Sequence, residues 1–438
     1  MENKNLIPSS LIDWLSRSVM LKLSIIFILT FMLLLPQVLI KDLILDRQSL
    51  NQGAIREVSG KWGLDQTLGG PILTVPVILN DLSDPDVSHT AYYHFLPDQL
   101  TIRGELDPEI LQRGIYRIVV YQSNQELSGR FTLPAQLDLP QLQKTLWDQA
   151  FITIGLSDLR GVRENVALEW NNTTIEAVPG SRISELLSSA ITFPVSLNPE
   201  TQEYSFRTQI NFNGSSSLQF LPVGKITEVA WTSNWNDPKF TGASLPAERN
   251  LDTAGFSGSW KILQINRNYP QSWLNDEYKD ELQTSASGVE LIQSLDDYQK
   301  SMRSIKYGLL IIFLTFLVFF LVEVRYRQRI HPFQYTLVGL ALVLFYILLI
   351  SLSEQISFNP AYLISTLVTG AMIYLYSRSV FEQPRHALVL VAIVLAVYGF
   401  VFVILQLTDY ALLMGSVGLT IILAITMYQT RNIKWYES

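Results

Sequence analysis

The chain contains no cysteine, only four histidines and little charge: 16% of its 438 residues are Asp, Glu, Lys or Arg, against about a quarter in ordinary soluble domains. Without cysteine there is no disulfide, no thiolate metal site and no thiol nucleophile. With His89, His94, His331 and His386 the sole imidazoles, a zinc site assembled from several histidines is nearly excluded. The common hydrolase and nucleotide signatures are missing as well: there is no G-x-S-x-G elbow, Walker loop, H-E-x-x-H or G-x-G-x-x-G. No cofactor is implied.

The scarcity of charge is uneven. Residues 41–306 hold 22 basic and 32 acidic residues, a net of −10, whereas residues 307–438 hold only 7 and 5. The acidic block argues against nucleic acid or anionic lipid as its partner. The rest is lipid-like in composition. A bilayer core of about 30 Å needs about 20 apolar residues per helix, and six stretches fit: Leu23 to Ile40, Tyr307 to Val324, Phe333 to Leu352, Ala361 to Tyr376, Ala387 to Leu407 and Tyr410 to Tyr428. The fourth is short. Tyr307, Tyr335, Tyr362, Tyr376, Tyr410 and Tyr428 fall near the ends, where an amphipathic ring favours the membrane interface.

Basic residues set the orientation, because short loops carrying Lys and Arg stay in the cytoplasm. Lys4, Arg17 and Lys22 precede the first span, Arg325, Arg327 and Arg329 follow the second, Arg378 and Arg385 follow the fourth, and Arg431 and Lys434 follow the sixth. The alternate loops, 353–359 and 408–409, have none. The expectation is a cytoplasmic segment 1–22, an anchor 23–40, an extracytoplasmic domain 41–306, spans 2–6 over 307–428, and a cytoplasmic tail 429–438. The first stretch lacks a small-x-small cleavage site after Pro36 and is read as an uncleaved anchor rather than a signal peptide. Leu11, Trp14, Leu15 and Val19 repeat at helical spacing and suggest an interfacial helix before it, with a disordered tail the alternative.

Helical rhythm continues past Ile40 through Ala54, Ile55, Val58 and Trp62, with breaks expected at Gly63 and at Gly69-Gly70-Pro71; Tyr298, Met302 and Ile305 run into span two. Both connections read as helical stalks. Between them, runs rich in Val, Ile, Thr, Tyr and Phe alternate with Gly, Pro, Asn and Asp. These are Ile72 to Leu79, Tyr92 to Leu96, Ile115 to Gln122, Leu127 to Leu133, Phe151 to Leu156, Val166 to Trp170, Tyr204 to Phe212 and Leu218 to Phe220. Tyr204 to Phe212 alternates apolar with polar, as in a half-buried antiparallel strand, and Asn213-Gly214 suits a tight hairpin turn. Arg182 to Ala190 offers a short helix. The fold class expected is α+β: a six-helix transmembrane bundle with a large β-rich, antiparallel sandwich-like domain inserted between helices 1 and 2.

Candidate sites are few. His89 and His94 flank Tyr92-Tyr93 below Asp81, Asp84 and Asp86, a pattern better read as a solvated acidic loop beside a half-buried histidine than as a metal site. Asp276, Glu277, Asp280 and Glu281 read as a solvated face. Trp231, Trp235, Trp260 and Trp273, with neighbouring Phe and Tyr, offer a candidate aromatic binding surface for a glycan, set against the commoner reading of rings in a core or protein interface. A coupled carrier would need ionisable groups at mid-membrane depth; Glu323, Glu354 and Asp409 all lie at span ends, and Thr366, Thr369, Gly370 and Ser416 read as helix-packing residues. Glu354 and Asp409 share one membrane boundary and form the remaining candidate pair.

The chain resembles the CreD family of bacterial inner-membrane proteins along nearly its whole length. The resemblance rests on GGPILTVPV (Gly69 to Val77), HFLPDQL (His94 to Leu100), TSNWNDPKFTGASLPAER (Thr232 to Arg249), the stretch from Asp296 to Glu323, HPFQYTLVGLALVLFYILLISLSE (His331 to Glu354) and TRNIKWY (Thr430 to Tyr436). It implies a periplasmic β-rich domain, an envelope-integrity or stress role, and a regulatory link to the two-component system for which the family is named. It supplies no catalytic residues. Where family members often carry histidine after the glutamate that ends span three, this chain has Gln355, so a titrating group there does not carry over. Three function classes follow: a non-enzymatic envelope-maintenance protein acting through envelope proteins or glycan, a channel or carrier, and a membrane enzyme working on lipid or cell-wall glycan. The lipid bilayer is the partner common to all three.

Overall fold

In the computed structural model of the protein the described residues are 19–81, 87–134, 136–198, 200–291, 295–326, 330–381, 383–407 and 410–431. The interfacial helix expected before Val19, Asp84, Asp86, Asp409 and the basic residues Lys4, Arg17, Arg327, Arg329 and Lys434 lie outside them. The chain forms two compact units, Met1–Asn51 with Ser294–Ser438, and Gln52–Gln293.

Helix α1 (Val19–Met32) and helix α2 (Leu34–Trp62) follow one another across a single residue, Leu33. Pro36 explains the interruption, because it has no N–H to offer and its ring crowds the carbonyl four residues back, at Met32. Leu33 N still donates to Leu29 O at 2.9 Å. Helix α2 ends at Gly63, whose φ of 152° suits glycine, and where an added Cβ would stand 2.5 Å from Asn213 O.

The second unit is built from two sheets. A ten-stranded sheet is centred on Gln66–Asn80, which pairs with Ser217–Phe220, Phe151–Leu156, Ser88–Phe95 and Leu142–Thr145. An eight-stranded sheet runs in the order Glu248–Asp252, Gly255–Leu263, Ile226–Ser233, Gln99–Arg113, Tyr116–Thr132, Glu203–Ser215, Ala167–Trp170, Thr173–Glu176. Residues of both sheets share one hydrophobic core. In Glu203–Ser215 the residues Tyr204, Phe206, Thr208, Ile210 and Phe212 are buried while Ser205, Arg207 and Gln209 are exposed, following the alternation in the sequence. Pairing is antiparallel except where Gln66–Leu68 meets Leu218–Phe220 and where Gln99–Leu106 meets Ile226–Ser233.

Four local expectations are corrected. Asn213-Gly214 is not a hairpin turn: both residues are still in strand, opposite Gln122 and Tyr121, and the chain turns at Ser216, with φ 58°. Gly214 is required for another reason, since a Cβ there would lie 2.3 Å from the Tyr121 hydroxyl. Gly69-Gly70-Pro71, expected as a break, lies inside the strand Gln66–Asn80 and shifts its register against Phe151–Leu156. Ile115 to Gln122 and Leu127 to Leu133 fall in one long strand, Tyr116–Thr132, broken by no turn. Arg182 to Ala190 forms a turn in which Leu186 N and Leu187 N donate to Ile183 O, not a helix; the one α-helix wholly inside this unit among the described residues is α3 (Lys279–Thr284).

The remaining helices are α4 (Leu295–Lys306), α5 (Gly308–Tyr326), α6 (Pro332–Ser353), α7 (Phe358–Val380), α8 (Pro384–Gln406) and α9 (Ala411–Thr430). Among the described residues five helices are long and apolar enough to cross a membrane, or six when the bent pair α4 and α5 counts as one span. That pair is the departure from a straight stalk: the axis turns by 45° at Tyr307. Sequence explains the start of α6, where His331 accepts from Phe333 N, Gln334 reaches back to His331 N, and Pro332 occupies the first turn. The short fourth stretch extends to 23 helical residues in α7. Among the described residues helix α9 packs in an extended way only against α8 and leaves Leu412, Leu413 and Met427 exposed, as a lipid-facing helix does. Tyr410 and Tyr428 are exposed, but Tyr335 and Tyr362 point inward, against the interface reading.

Candidate functional site

The densest polar construction in the β unit is where α2 gives way to the first strand. Asp158 Oδ2 accepts from Leu64 N at 3.1 Å, while its Oδ1 accepts from Arg160 N and Nε at 3.1 and 2.8 Å. The Gln66 side chain donates to Asp158 O and Asn213 O and accepts from Asp158 N. Arg160 Nη1 reaches Gly60 O at 3.0 Å, and Trp62 Nε1 reaches Tyr121 O at 3.3 Å. Burial alone raises the Asp158 carboxyl; the Arg160 guanidinium and the two backbone N–H groups outweigh it and hold the carboxyl below its ordinary range. Beside it, Asp65 is pushed up by burial, with Ser215 and Ser216 partly opposing through hydrogen bonds. Tyr121 donates to Ser217 O at 2.7 Å and is pushed up by burial. The last turn of α2 is thereby fastened to both sheets.

The tryptophans make a core rather than a surface. Trp231, Trp260 and Trp273 are buried, and Phe220, Trp231 and Trp260 meet edge to face at 5.3 to 5.6 Å. Trp231 Nε1 donates to the buried Gln125 Oε1 at 2.8 Å, Trp260 Nε1 to Ser244 O, and Trp273 Nε1 to Asn275 O. Only Trp235 of the four is partly open. A ring platform formed by these four is therefore corrected: tryptophan's large apolar area is what closes the space between two sheets.

His94 is likewise internal, against the half-buried reading. Thr74 Oγ1 lies 2.9 Å from its Nδ1 and the Trp273 ring packs on it. Burial pulls its pKa down to about 4, with the Asn275 backbone working weakly the other way. His89 is exposed, as are Asp276, Glu277, Asp280 and Glu281. An open cavity of about 450 Å³ is lined by Ile265, Arg267, Asn268, Tyr269 and Tyr278. Arg267 there is a clamp: its guanidinium lies over the Tyr269 ring and donates to Pro222 O and Val223 O.

In the helical unit Glu354, at the end of α6, lies 3.7 Å from Arg47 Nε of α2. Its expected companion Asp409 lies outside the described residues. At the other end of α6, Tyr335 donates to the buried Glu323 Oε2 at 2.8 Å and Ile330 N donates to Oε1. Between these ends Phe345 touches the rings of Tyr346, Tyr362 and Tyr398 at 4.6 to 5.3 Å, and Tyr362 donates to Tyr398 O. Thr366, Thr369 and Gly370 are buried in helix contacts, with Gly370 against Leu395, while Ser416 is exposed.

Asp158 and Gln66 were not legible as candidates. A lone Asp followed two residues later by Arg signals a local pair, and nothing in the sequence says that it accepts from Leu64 N, just past the end of a helix almost a hundred positions away.

A family model described as "Inner membrane protein CreD" matches residues 18–436. The protein "Inner membrane protein CreD" of Escherichia coli (strain K12) is 31% identical over 424 residues, covering 95% of this chain and 93% of that one. With its long apolar helices and β-rich unit, the chain belongs to the CreD family of multi-pass inner membrane proteins.

Proposed function

We propose that this protein maintains the cell envelope without catalysing a reaction, its β unit standing in the periplasm and both termini in the cytoplasm, and that it works by passing events between the β unit and the helices along α2. The observation that carries this reading is the lock on the end of α2. A helix whose last turn is held by Arg160 at Gly60 O and by Tyr121 O at the Trp62 indole, with Asp158 holding Leu64 just beyond it, and whose residue Arg47 pairs with Glu354, is one continuous 29-residue element, and a continuous helix transmits displacement where a loop would absorb it. On this reading the partners of the periplasmic face are envelope proteins or glycan, and regulation runs through a two-component system.

The test is a Gly/Ser insertion in α2 after Gln52, in cells that depend on this protein under detergent stress. Envelope resistance is expected to fall to that of the deletion strain while membrane-inserted protein stays at normal abundance. Full resistance with the insertion in place would remove mechanical coupling. Protease added to spheroplasts is expected to cut within residues 87–291 and to spare the loop carrying Arg378 and Arg385; the reverse pattern would overturn the orientation.

A further inference from the structure

The open cavity of about 450 Å³ in the β unit has a lining that is already held in place. Asn266 Oδ1 accepts from Leu263 N at 3.0 Å and fixes the turn Gln264–Asn266. Arg267, next in the chain, is only 8% exposed and holds its guanidinium 4.6 Å from the centre of the Tyr269 ring. The Tyr269 hydroxyl is fixed in turn, donating to Pro222 O at 3.1 Å with Ser285 Oγ equally near. Trp273 packs on the rings of both Tyr269 and Tyr278, at 6.2 and 6.0 Å. A wall held this way loses little freedom when something binds against it.

Packing leaves two features of this cavity unexplained. The first is charge. Of the five N–H groups of its guanidinium, Arg267 commits Nη1 to Pro222 O and Val223 O and Nη2 to Gln271 Oε1; a clamp needs those donors but not the charge. Among the described residues no Asp or Glu pairs with it, although residues 41–306 hold 32 acidic groups against 22 basic. Asp276 and Glu277, beside Tyr278 in the chain, are exposed. Burial pulls the guanidinium down from its ordinary range, and only Tyr269 works the other way. A buried cation without a counter-ion is costly, and in the wall of an open cavity it draws anions.

The second feature is what surrounds that charge. The amides of Gln264 and Asn268 and the Tyr278 hydroxyl make no hydrogen bond among the described residues. Ile265, 87% exposed, Pro270 and the half-buried Tyr278 ring add apolar surface.

We propose that this cavity binds a sugar carrying a carboxylate, with the anion toward Arg267 and the sugar ring against Tyr278. A simple anion would use the guanidinium and none of the rest, and a neutral sugar would do the reverse. The hydroxyls of a sugar meet the amides of Gln264 and Asn268, each able both to donate and to accept, and its C–H face suits aromatic and aliphatic carbon. The inference deepens the glycan reading of the periplasmic face and rests on it. Its test is binding by the purified protein, so failure here leaves the coupling role of α2 and the orientation standing.

The test is saturation-transfer difference NMR on the full-length protein in lipid nanodiscs. The probe is N-acetylmuramic acid, and its neutral counterpart is N-acetylglucosamine, which lacks only the lactyl carboxylate arm. Lactate supplies the anion without the sugar, and N-acetylleucine supplies an anion on a peptide-like frame. N-acetylmuramic acid is expected to show several-fold stronger transfer than the other three, and Arg267→Gln is expected to bring it down to the level of N-acetylglucosamine. Should that variant fold poorly, Asn268→Ala and Tyr278→Ala, neither of which breaks a side-chain hydrogen bond among the described residues, are each expected to weaken transfer several-fold. Equal transfer to N-acetylglucosamine would overturn the role of the charge, and equal transfer to lactate or N-acetylleucine would overturn the sugar. Unchanged transfer in both folded variants would overturn the cavity as the site.

Discussion

The two units differ in where their buried polar groups find partners, although each also buries some without one, Trp170 Nε1 and Thr153 Oγ1 among them in the β unit. In the β unit the interior amide of Gln125 holds the Trp231 indole, Gln66 makes three hydrogen bonds, and Asp158 is ringed by donors. In the helical unit Gln37, Thr315, Tyr346, Thr369 and Tyr398 keep polar atoms buried without a partner. Helices satisfy their own backbones, so side-chain hydrogen bonds are not needed to build them; sheets and loops rely on side chains to finish segments that cross from one sheet to the other. Polarity in the first unit specifies packing. In the second, several buried hydroxyl and amide groups are surplus to packing.

The contrast can be broken by substitution. The largest effect is expected for Trp231→Ala, which empties the centre of the β core and strips Gln125 of its donor; about 3–5 kcal/mol of unfolding free energy should be lost, read by chemical denaturation of the purified protein. A loss under about 1 kcal/mol would mean the ring does not close that core.

Acid should come next. His94 titrates near 4 when folded and near its ordinary value of about 6.5 when unfolded, so between those pH values the unfolded chain binds the extra proton. Stability is whole above pH about 6.5, falls as pH drops toward 4, and changes no further from this residue below that. The gap is worth about 3 kcal/mol. Denaturation midpoints of the unmodified protein and His94→Gln, measured from pH 7 to 4, should show a shallower decline in the variant; parallel curves would remove His94 as the cause.

Asp158→Asn should cost about 2 kcal/mol, with faster hydrogen exchange at the Leu64 amide that its carboxylate holds, whereas Arg160→Ala should cost clearly less because the guanidinium is largely exposed. Equal costs would show that the carboxylate serves only the ion pair. The smallest effect sharpens the comparison most. Tyr346→Phe is expected to leave thermal stability within about 0.5 kcal/mol, while Tyr335→Phe, which removes a buried hydrogen bond to Glu323, should cost about 1–3 kcal/mol. A large loss at Tyr346 would mean its hydroxyl is fully bonded within the protein.

Much of this was written in the chain. The apolar runs marked the helices because burial in lipid needs length and little else, and the alternation from Tyr204 to Phe212 marked a strand because side chains there point to opposite faces at every step. What failed were inferences from residue type to role. Asn213-Gly214 has turn chemistry yet stays in the sheet, because Tyr121 needs the room over Gly214. Tyr335 and Tyr362 sit at span ends as interface anchors do, yet face inward, because a helix end says nothing about which side the ring takes. The tryptophan cluster was legible as a cluster, but core and surface have the same composition.

The sequence by itself determined the family, the presence of several long apolar helices and the β character of residues between them, since these follow from periodicity and from long matching stretches. Tertiary structure alone decided that Arg160 would reach the last turn of α2, that two strand pairs would run parallel, and that Gln37 and Tyr346 would both approach Gly308. Each of these is a contact between residues far apart in the chain, and no local pattern encodes which distant surfaces close upon one another.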